Sequence, residues 1–349
     1  MINNTAIDRL YKEIKDRLHD AYTDIHLSGN PIDAKYCKSV EEKLKKITGR
    51  KHARLTTSGT SAIQTALIAW GIKGKKVACS NYSFVASANQ ATYVNDVDFV
   101  EVDSKGLMQI DKKFDHDAVI PVSLYGNCID YNELQVSANT KVIVDAAQSL
   151  GSKYKNKADG SFGDVAVFSF SRNKPIPTNG THGALVWDDD DMCEIIKAVS
   201  NNGKSGRLSK IKNFGINAIP MELQAAQIDI GLDHMGEWQV KRKQVHQHYT
   251  DSFTNLPLRI IQPSEHCESN YHKFALLTDN RDGLKSFLHE KGIQAIEHYT
   301  DNFAEFIGSD KCFPNTEMFC EQVLTLPNHP WLTDAEVEIV ADAVKDFYK

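Results

Sequence analysis

The chain has 349 residues and a mass of 39.1 kDa, and 41% of its residues are hydrophobic, 25% charged and 9% aromatic. This composition is typical of a soluble globular protein and excludes disordered, collagenous and coiled-coil chains. Forty Lys and Arg against 46 Asp and Glu give a net charge of −6, so we expect no partnership with nucleic acid or with an anionic membrane.

The cysteines and the N-terminal segment indicate the compartment. Seven cysteines are scattered along the chain without C-x-x-C spacing, so we expect neither a disulfide framework nor a thiolate zinc site. The first 19 residues place apolar side chains at helical spacing among charges, which predicts an amphipathic helix and not a signal peptide. No run approaches the roughly 20 apolar residues of a membrane span. We therefore expect a soluble, cytoplasmic protein.

The middle of the chain predicts an α/β domain. From Ser58 onward, short β-branched runs alternate with helical patterns, which is typical of a mostly parallel central sheet covered by helices. The expected strands are Lys76–Cys79, Asp98–Asp103, Ala118–Leu124, Lys141–Val144, Asp164–Phe170 and Gly183–Trp187. A long helical pattern from Leu223 to about Phe253, rich in charges that include Arg242, would link this large domain to a second one.

The last hundred residues predict a smaller α+β domain. It would contain a strand over Tyr271–Leu277, a helix over Asp282–Lys291 and a terminal helix over Thr333–Phe347, which Thr333 caps together with Glu336. We therefore expect a large domain over residues 1–250, with the N-terminal and linking helices, and a small domain over residues 251–349.

One segment has the composition of a phosphate-binding helix start. Thr57-Ser58-Gly59-Thr60-Ser61-Ala62 leads into a helix over Ala62–Trp70, and free N–H groups at a helix start can hold a phosphate. A simple Ser/Thr cap is the alternative. The segment lacks the spacings of a P-loop and of a dinucleotide fold, so any phosphate held here would belong to a smaller cofactor.

Two charged residues follow predicted strands. Asp145 ends the strand Lys141–Val144, and Lys174 follows the strand Asp164–Phe170. Taken singly, Asp145 could be a helix cap and Lys174 a surface lysine. Together with the phosphate-binding segment they match the requirements of a pyridoxal phosphate site, where a lysine forms the Schiff base and an aspartate keeps the ring nitrogen protonated. Phe84 could stack on the ring or belong to the core.

These motifs occur in the order used by the DegT/DnrJ/EryC1/StrS group of sugar aminotransferases, which the sequence resembles over nearly its whole length. The segments that carry the resemblance are Leu27-Ser28-Gly29, Thr57-Ser58-Gly59-Thr60-Ser61-Ala62, Asn81-Tyr82-Ser83-Phe84-Val85-Ala86-Ser87-Ala88, Ile120-Pro121-Val122-Ser123-Leu124-Tyr125-Gly126, Val144-Asp145-Ala146-Ala147-Gln148-Ser149-Leu150-Gly151 and Phe168-Ser169-Phe170 up to Lys174. The resemblance implies the aspartate-aminotransferase-like fold, which is fold type I of the pyridoxal phosphate enzymes.

The resemblance also implies a role for each site residue. Lys174 would be the Schiff-base lysine and proton shuttle, and Asp145 would pair with the pyridine nitrogen. The remaining cofactor contacts would be Gln148 at the ring hydroxyl, Phe84 stacked on the ring, and Gly59, Thr60 and Ser169 at the phosphate. Asn217 would reach the phosphate of the neighbouring subunit, which implies a homodimer with active sites at the subunit interface. No metal is implied.

The activity implied by the resemblance is ping-pong transamination. Glutamate is the expected amino donor, and the acceptor would be a keto carbon of a nucleotide-linked deoxysugar. Two alternatives remain open: a different pyridoxal phosphate reaction such as sugar dehydration, in which a histidine replaces the lysine, and a non-catalytic regulatory relative. The chain departs from the family at Gly180-Thr181-His182-Gly183 and at Asn217-Ala218-Ile219-Pro220, where the family's customary acidic residue and arginine are missing.

Three other features have weaker functional interpretations. The run Asp188–Asp191 could hold a metal but is typical of a solvated turn. His246 and His248 are two apart on a predicted helix and so do not share a face, and we expect surface histidines. His298-Tyr299 could line a substrate pocket or have a structural role.

Overall fold

The computed structural model describes residues 1–205 and 209–349. Its strands are β1 His52–Thr56, β2 Lys76–Ser80, β3 Asp96–Val100, β4 Ala118–Ile120, β5 Lys141–Asp145, β6 Lys153–Tyr154, β7 Lys157–Ala158, β8 Val165–Ser169, β9 Gly183–Trp187, β10 Arg259–Ile260, β11 Cys267–Glu268, β12 Phe274–Leu277 and β13 Val323–Leu326. Its helices are α1 Ile7–Ser28, α2 Lys35–Thr48, α3 Gly59–Ala69, α4 Ala86–Thr92, α5 Met192–Val199, α6 Glu222–Asp233, α7 Met235–Ser252, α8 Arg281–Glu290, α9 Phe303–Phe306, α10 Pro314–Gln322 and α11 Asp334–Phe347.

A seven-stranded sheet of order β1-β9-β8-β5-β4-β2-β3 forms the centre of the molecule. The pairs from β3 to β8 are parallel, and β9 runs antiparallel to both β8 and β1. Strands such as β8 and β9 are buried at every position, because helices cover both faces of the sheet. The predicted α/β fold with a mostly parallel sheet is confirmed.

Each face of the central sheet has its own core. One face packs α3 and α4 through Ala62, Ala66 and Leu67 against Val77 and Ile143. The other packs the amphipathic helices α1 and α2 together with α6, whose Ala225 and Ile228 are fully buried. These helices fix the positions of the strand ends, where the chemistry-bearing residues lie.

A smaller sheet of order β10-β12-β13 packs against α7, α8 and α11. Residues 2–4 reach across to this region, where Ile2 N donates to Gly292 O at 2.7 Å and Gln294 N donates to Ile2 O at 2.9 Å. Thr333 and Glu336 form the predicted capping box of α11. We propose that residues 1–250 and 251–349 form the large and the small domain.

Several element boundaries differ from the sequence prediction. Strand β1 was not predicted; its sequence contains His52 and Arg54, and it pairs antiparallel with β9 at the sheet edge. Strand β3 begins two residues before the predicted Asp98. The single helix predicted from Leu223 is two helices, α6 and α7, which meet at His234.

Within the described residues, no helix is both long and apolar enough to span a membrane.

Candidate active site

A cavity of about 370 Å³ lies at the carboxyl ends of the parallel strands. Open α/β sheets bind their ligands at this edge. Strand β5 ends at Asp145 and the parallel strand β8 ends at Ser169, so both residues lie at this edge of the sheet. The predicted residues that line the cavity are Gly59, Thr60, Phe84, Asp145, Gln148, Ser169 and Lys174. The fold therefore brings together seven residues that the sequence spreads over more than a hundred positions.

The start of α3 forms one end of the cavity. Ser58 caps the helix by accepting a hydrogen bond from Ser61 N at 3.0 Å, and Ser61 Oγ accepts one from Ser58 N at 2.9 Å. Within residues 1–205 and 209–349, the N–H groups of Gly59 and Thr60 have no hydrogen-bond partner. A helix start with free N–H groups is a binding site for an anion such as phosphate. The predicted cap is therefore formed by Ser58, and the binding of a phosphate by the N–H groups of Gly59 and Thr60 stays a prediction.

Two glycines let the start of α3 lie close to the ends of β8 and β9 at this end of the cavity. A Cβ atom on Gly59 would lie 2.9 Å from Ser169 Cβ, and one on Gly183 would lie 2.3 Å from Ser58 O. Both distances are shorter than real Cβ contacts, so only glycine allows α3 to begin directly above the ends of β8 and β9.

Asp145 lies at the other end, buried and held by neutral donors. Ser87 donates a hydrogen bond to Asp145 Oδ2, and Ala147 N donates to Oδ1 at 3.0 Å. The two bonds fix the orientation of the carboxylate at the cavity wall. Asp145 is therefore not a simple helix cap: its charge faces a cavity that could hold a cationic ring nitrogen.

Lys174 projects from the loop after β8 into the same cavity. Its Nζ lies 5.9 Å from the centre of the Phe84 ring, and no hydrogen bond to this Nζ is found among residues 1–205 and 209–349. Burial lowers the pKa of Lys174 to about 8, although the charge of Asp145 opposes this shift. Lys174 is thus a buried amine available for chemistry, and Phe84, half-exposed at the cavity wall, is not a core residue.

Gln148 joins the cavity wall to a buried tyrosine network. Its Nε2 donates to Tyr299 OH at 3.2 Å, and its Oε1 accepts from Tyr125 N at 2.9 Å. Tyr299 N donates in turn to Tyr82 OH at 2.7 Å. His298 and Tyr299 both line the cavity, so the region after residue 251 supplies part of the wall. Burial raises the pKa of Tyr299 and keeps its hydroxyl protonated.

Asn217 is an exposed residue that does not line this chain's own cavity. It forms a bridge with Asn201, and its role at a neighbouring subunit stays a prediction.

His182 is buried and holds the segment that follows Asn217, since its Nε2 accepts a hydrogen bond from Met221 N at 3.0 Å. Burial lowers the pKa of His182 and so favours its neutral ring.

One weaker sequence interpretation needs correction. His246 is not a surface residue, because it packs against the rings of Tyr271 and Phe274 at 4.9 Å from each. The run Asp188–Asp191 is exposed and ends in a turn, as expected, and Asp188 accepts a hydrogen bond from the buried Arg50 Nη1 at 2.8 Å.

Sequence reasoning gave no role to Ser87 or Thr181. Ser87 holds Asp145, and Thr181 lines the cavity while its Oγ1 donates to Thr57 O at 2.9 Å. Ser87 lies three residues after Phe84 in one of the segments that carry the resemblance, which was the available signal. Thr181 lies in a segment that departs from the family, so motif comparison could not assign it.

The cavity fits pyridoxal phosphate. It provides N–H groups for a phosphate at the start of α3, a buried carboxylate for a ring nitrogen at Asp145, and a buried amine at Lys174. Among the described residues, neither these N–H groups nor this amine has a hydrogen-bond partner. Phe84 supplies an aromatic face on the wall. The phosphate of the cofactor would meet N–H donors, its protonated ring nitrogen would meet a carboxylate, and its aldehyde would meet an amine.

Comparison with known proteins identifies the family. The profile of the DegT/DnrJ/EryC1/StrS aminotransferase family matches residues 12–345. The chain belongs to this family. The family's cofactor is pyridoxal phosphate, in agreement with the chemistry of the cavity.

Three relatives illustrate the range of the family. The chain is 27% identical to the UDP-2-acetamido-2-deoxy-3-oxo-D-glucuronate aminotransferase of Pseudomonas aeruginosa, over 99% of each chain. It is 26% identical to a pleiotropic regulatory protein of Geobacillus stearothermophilus, over 97% of this chain and 96% of that one. The crystal structure of S. venezuelae DesV in complex with a ketimine intermediate superposes with a TM-score of 0.93 at 25% identity, covering 100% of this chain and 98% of DesV.

Proposed function

We propose that this family member is a pyridoxal-phosphate-dependent aminotransferase that moves an amino group from glutamate to a keto carbon of a nucleotide-linked deoxysugar, in the cytoplasm. The observation that carries the proposal is the shared cavity in which Lys174 and Asp145 lie with Gly59 and Thr60 at the start of α3. The relatives named as aminotransferases of nucleotide sugars support the substrate class.

The residues would hold the cofactor at both of its charged ends. The N–H groups of Gly59 and Thr60 and the hydroxyl of Ser169 would bind the phosphate. Asp145, oriented by Ser87 and Ala147, would keep the ring nitrogen protonated. Phe84 and Gln148 would position the ring. When bound, pyridoxal phosphate supplies the electron sink for amino transfer.

Lys174 would perform the proton transfers. Its pKa of about 8 is close to physiological pH, so Nζ can accept a proton from the reacting carbon and deliver it to the carbon on the other side of the transferred nitrogen without a large energetic cost either way. The desolvated cavity keeps this amine from being trapped in the protonated form, because burial disfavours its charge. One side chain thus acts as base and then as acid.

We also infer a homodimer in which Asn217 acts on the neighbouring subunit. Asn217 is exposed, and so are the apolar side chains of Ile211 and Phe214, which are 70% and 77% exposed. Large apolar side chains clustered on a surface are typical of protein–protein interfaces. A second subunit covering this segment would bury them and bring Asn217 to the partner's cavity.

The test is a transamination assay with the holoenzyme. Glutamate is combined with UDP-, dTDP- and GDP-linked keto-sugars, and both amino sugar and 2-oxoglutarate are measured by mass spectrometry. We expect equal amounts of the two products with at least one of the sugars and no product with Lys174→Ala. Formation of amino sugar without 2-oxoglutarate would show that the donor is wrong.

A regulatory role is the second candidate function, because one relative is named as a pleiotropic regulatory protein. The same assay separates the two functions. A regulator that binds the cofactor without turnover would form no 2-oxoglutarate with any donor, although its absorbance would show bound pyridoxal phosphate.

A further inference from the structure

A second, smaller pocket of about 30 Å³ lies next to the proposed cofactor cavity. Asn173 and Lys174 line both cavities, so the catalytic lysine is part of the wall between them. Other walls come from α7, from the residues before β12 and from the loop after β13. The residues that carry the argument, which we call the inner cationic pocket, are Arg242, His272, Lys273, Asn328 and His329.

The inner cationic pocket buries two basic side chains. Arg242 is 3% and Lys273 8% exposed. Arg242 donates from Nε to Asn270 O at 3.1 Å and from Nη1 to Pro175 O at 3.3 Å, and Lys273 donates to Asn4 Oδ1 at 3.1 Å. All these acceptors are neutral. Within residues 1–205 and 209–349, neither cation forms an ion pair with a carboxylate.

Unpartnered polar atoms are also found here. Arg242 Nη2, Asn328 Oδ1 and His329 Nδ1 are buried without a hydrogen-bond partner among the described residues. A guanidinium nitrogen can only donate, so Arg242 Nη2 requires an acceptor. Asn328 Oδ1 is itself an acceptor, and its Nδ2 donates to Tyr271 O at 2.8 Å, so it requires a donor such as water.

The positive charges of the inner cationic pocket are buried close together, which is energetically unfavourable. Burial lowers the pKa of Arg242 to about 10 and that of Lys273 to about 7, and the charge of Lys174 contributes to the second shift. Burial and the same lysines lower the pKa of His272. Arg242 remains charged at neutral pH, and a buried charge without a partner is costly.

We propose that the inner cationic pocket binds one monatomic anion of the size of chloride, with Arg242 and Lys273 as its cationic partners. The pocket of about 30 Å³ has room for about two water-sized particles, which matches one such anion and one water at Asn328. It is too small for the carboxylate and carbon chain of an amino acid. The anion supplies the acceptor that Arg242 Nη2 lacks.

The position of this anion also affects the reactive lysine. Lys174 lines the same pocket, and a negative charge close to an amine favours its protonated form. The anion therefore offsets part of the repulsion among Lys174, Lys273 and Arg242. The proposal stands on the pocket's own residues and does not depend on which sugar the enzyme uses.

Thermal unfolding of the holoenzyme tests the site. The midpoint is measured against sodium chloride with sodium gluconate added to constant ionic strength, because gluconate is too large for the pocket and surface screening stays equal. At a chloride concentration about a hundred times its dissociation constant, the midpoint of thermal unfolding is expected to rise by about 4 °C. Arg242→Gln and Lys273→Met are each expected to abolish this rise, whereas Arg259→Gln, at an exposed arginine, keeps it.

A crystallographic measurement on the unaltered protein covers the case in which the variants do not fold. Crystals of the holoenzyme soaked in sodium bromide are expected to give an anomalous difference peak beside Arg242 and Lys273. Equal stabilisation by chloride and gluconate, or a bromide map without a peak in this pocket, would overturn the proposal and show that water alone occupies it.

Discussion

Gly59 at the start of α3 faces Ser169 at the end of β8 so closely that a Cβ atom on Gly59 would lie 2.9 Å from Ser169 Cβ. Both residues line the cavity at the end where the N–H groups of Gly59 and Thr60 are free among the described residues. The absent side chain is therefore what lets a helix start and a strand end form one surface, which we propose binds the phosphate.

Gly59→Ala is expected to weaken pyridoxal phosphate binding by about tenfold or more, since each tenfold corresponds to about 1.4 kcal/mol. The added methyl group displaces Ser169 or tilts the first turn of α3. Equilibrium dialysis against pyridoxal phosphate measures the change. Gly236→Ala is the matched control, because nothing lies within 4 Å of a Cβ at that position; equal affinities in the two variants would refute the assignment of Gly59.

The apoprotein is expected to capture pyridoxal phosphate in a pH-dependent manner set by Lys174. Only the neutral amine is a nucleophile, and burial lowers its pKa to about 8 from the ordinary 10.5. The capture rate therefore rises with pH and is half-maximal near pH 8. Stopped-flow absorbance from pH 6 to 10 measures it, and a rate still rising steeply at pH 10 would argue against a depressed pKa.

Subunit mixing tests the inferred role of Asn217. Lys174→Ala and Asn217→Ala are each expected to be nearly inactive as homodimers. Mixed under conditions that exchange subunits, they should recover about one quarter of wild-type activity, because half of the dimers carry one site with both residues intact. Recovery requires that the two residues of one site come from different chains. If the mixture stays as inactive as its components, Asn217 acts within its own subunit or not at all.

A stability prediction concerns the buried Glu222 at the start of α6. Its carboxylate accepts hydrogen bonds from Ala34 N at 2.8 Å, Tyr36 N at 2.7 Å and Cys37 N at 3.0 Å, which satisfies the N–H groups at the start of α2. Glu222→Ala is expected to lower the free energy of unfolding by about 3 kcal/mol.

The urea midpoint gives this difference in stability. The exposed Glu237, paired with Lys241 at 2.8 Å on the surface of α7, serves as the control, and Glu237→Ala should cost no more than about 0.5 kcal/mol. Similar midpoints for the two variants would mean that Glu222 does not anchor α2.

The sequence predicted the cavity better than the cationic pocket beside it. Asp145 and Lys174 follow buried strands, and a strand end is a local signal that places a side chain at the binding edge of the sheet. Arg242 lies in a helix with many charges, which the sequence presents as solvent-facing. Its burial results from packing against Asn270 and Pro175, and such long-range contacts leave no periodic pattern.

Edge and junction elements were hard to predict for related reasons. Strand β1 contains His52 at its partly exposed end and the buried Arg54, which is paired with Asp33 at 2.6 Å, so its apolar signal is short. The junction of α6 and α7 at His234 has no proline, and the helical pattern continues through it. In both places tertiary contacts outweigh local propensity.

The half-reaction with glutamate tests the proposed role of Lys174 in amino transfer. Holoenzyme is mixed with glutamate in the absence of any sugar, and 2-oxoglutarate is counted per subunit while the absorbance of the cofactor is followed. We predict one equivalent of 2-oxoglutarate per subunit, a shift of the absorbance band to shorter wavelength, and neither change with Lys174→Ala. Formation of no 2-oxoglutarate by the unaltered protein would rule out glutamate-driven amino transfer, and formation of equal amounts by the variant would rule out Lys174 as the residue that performs it.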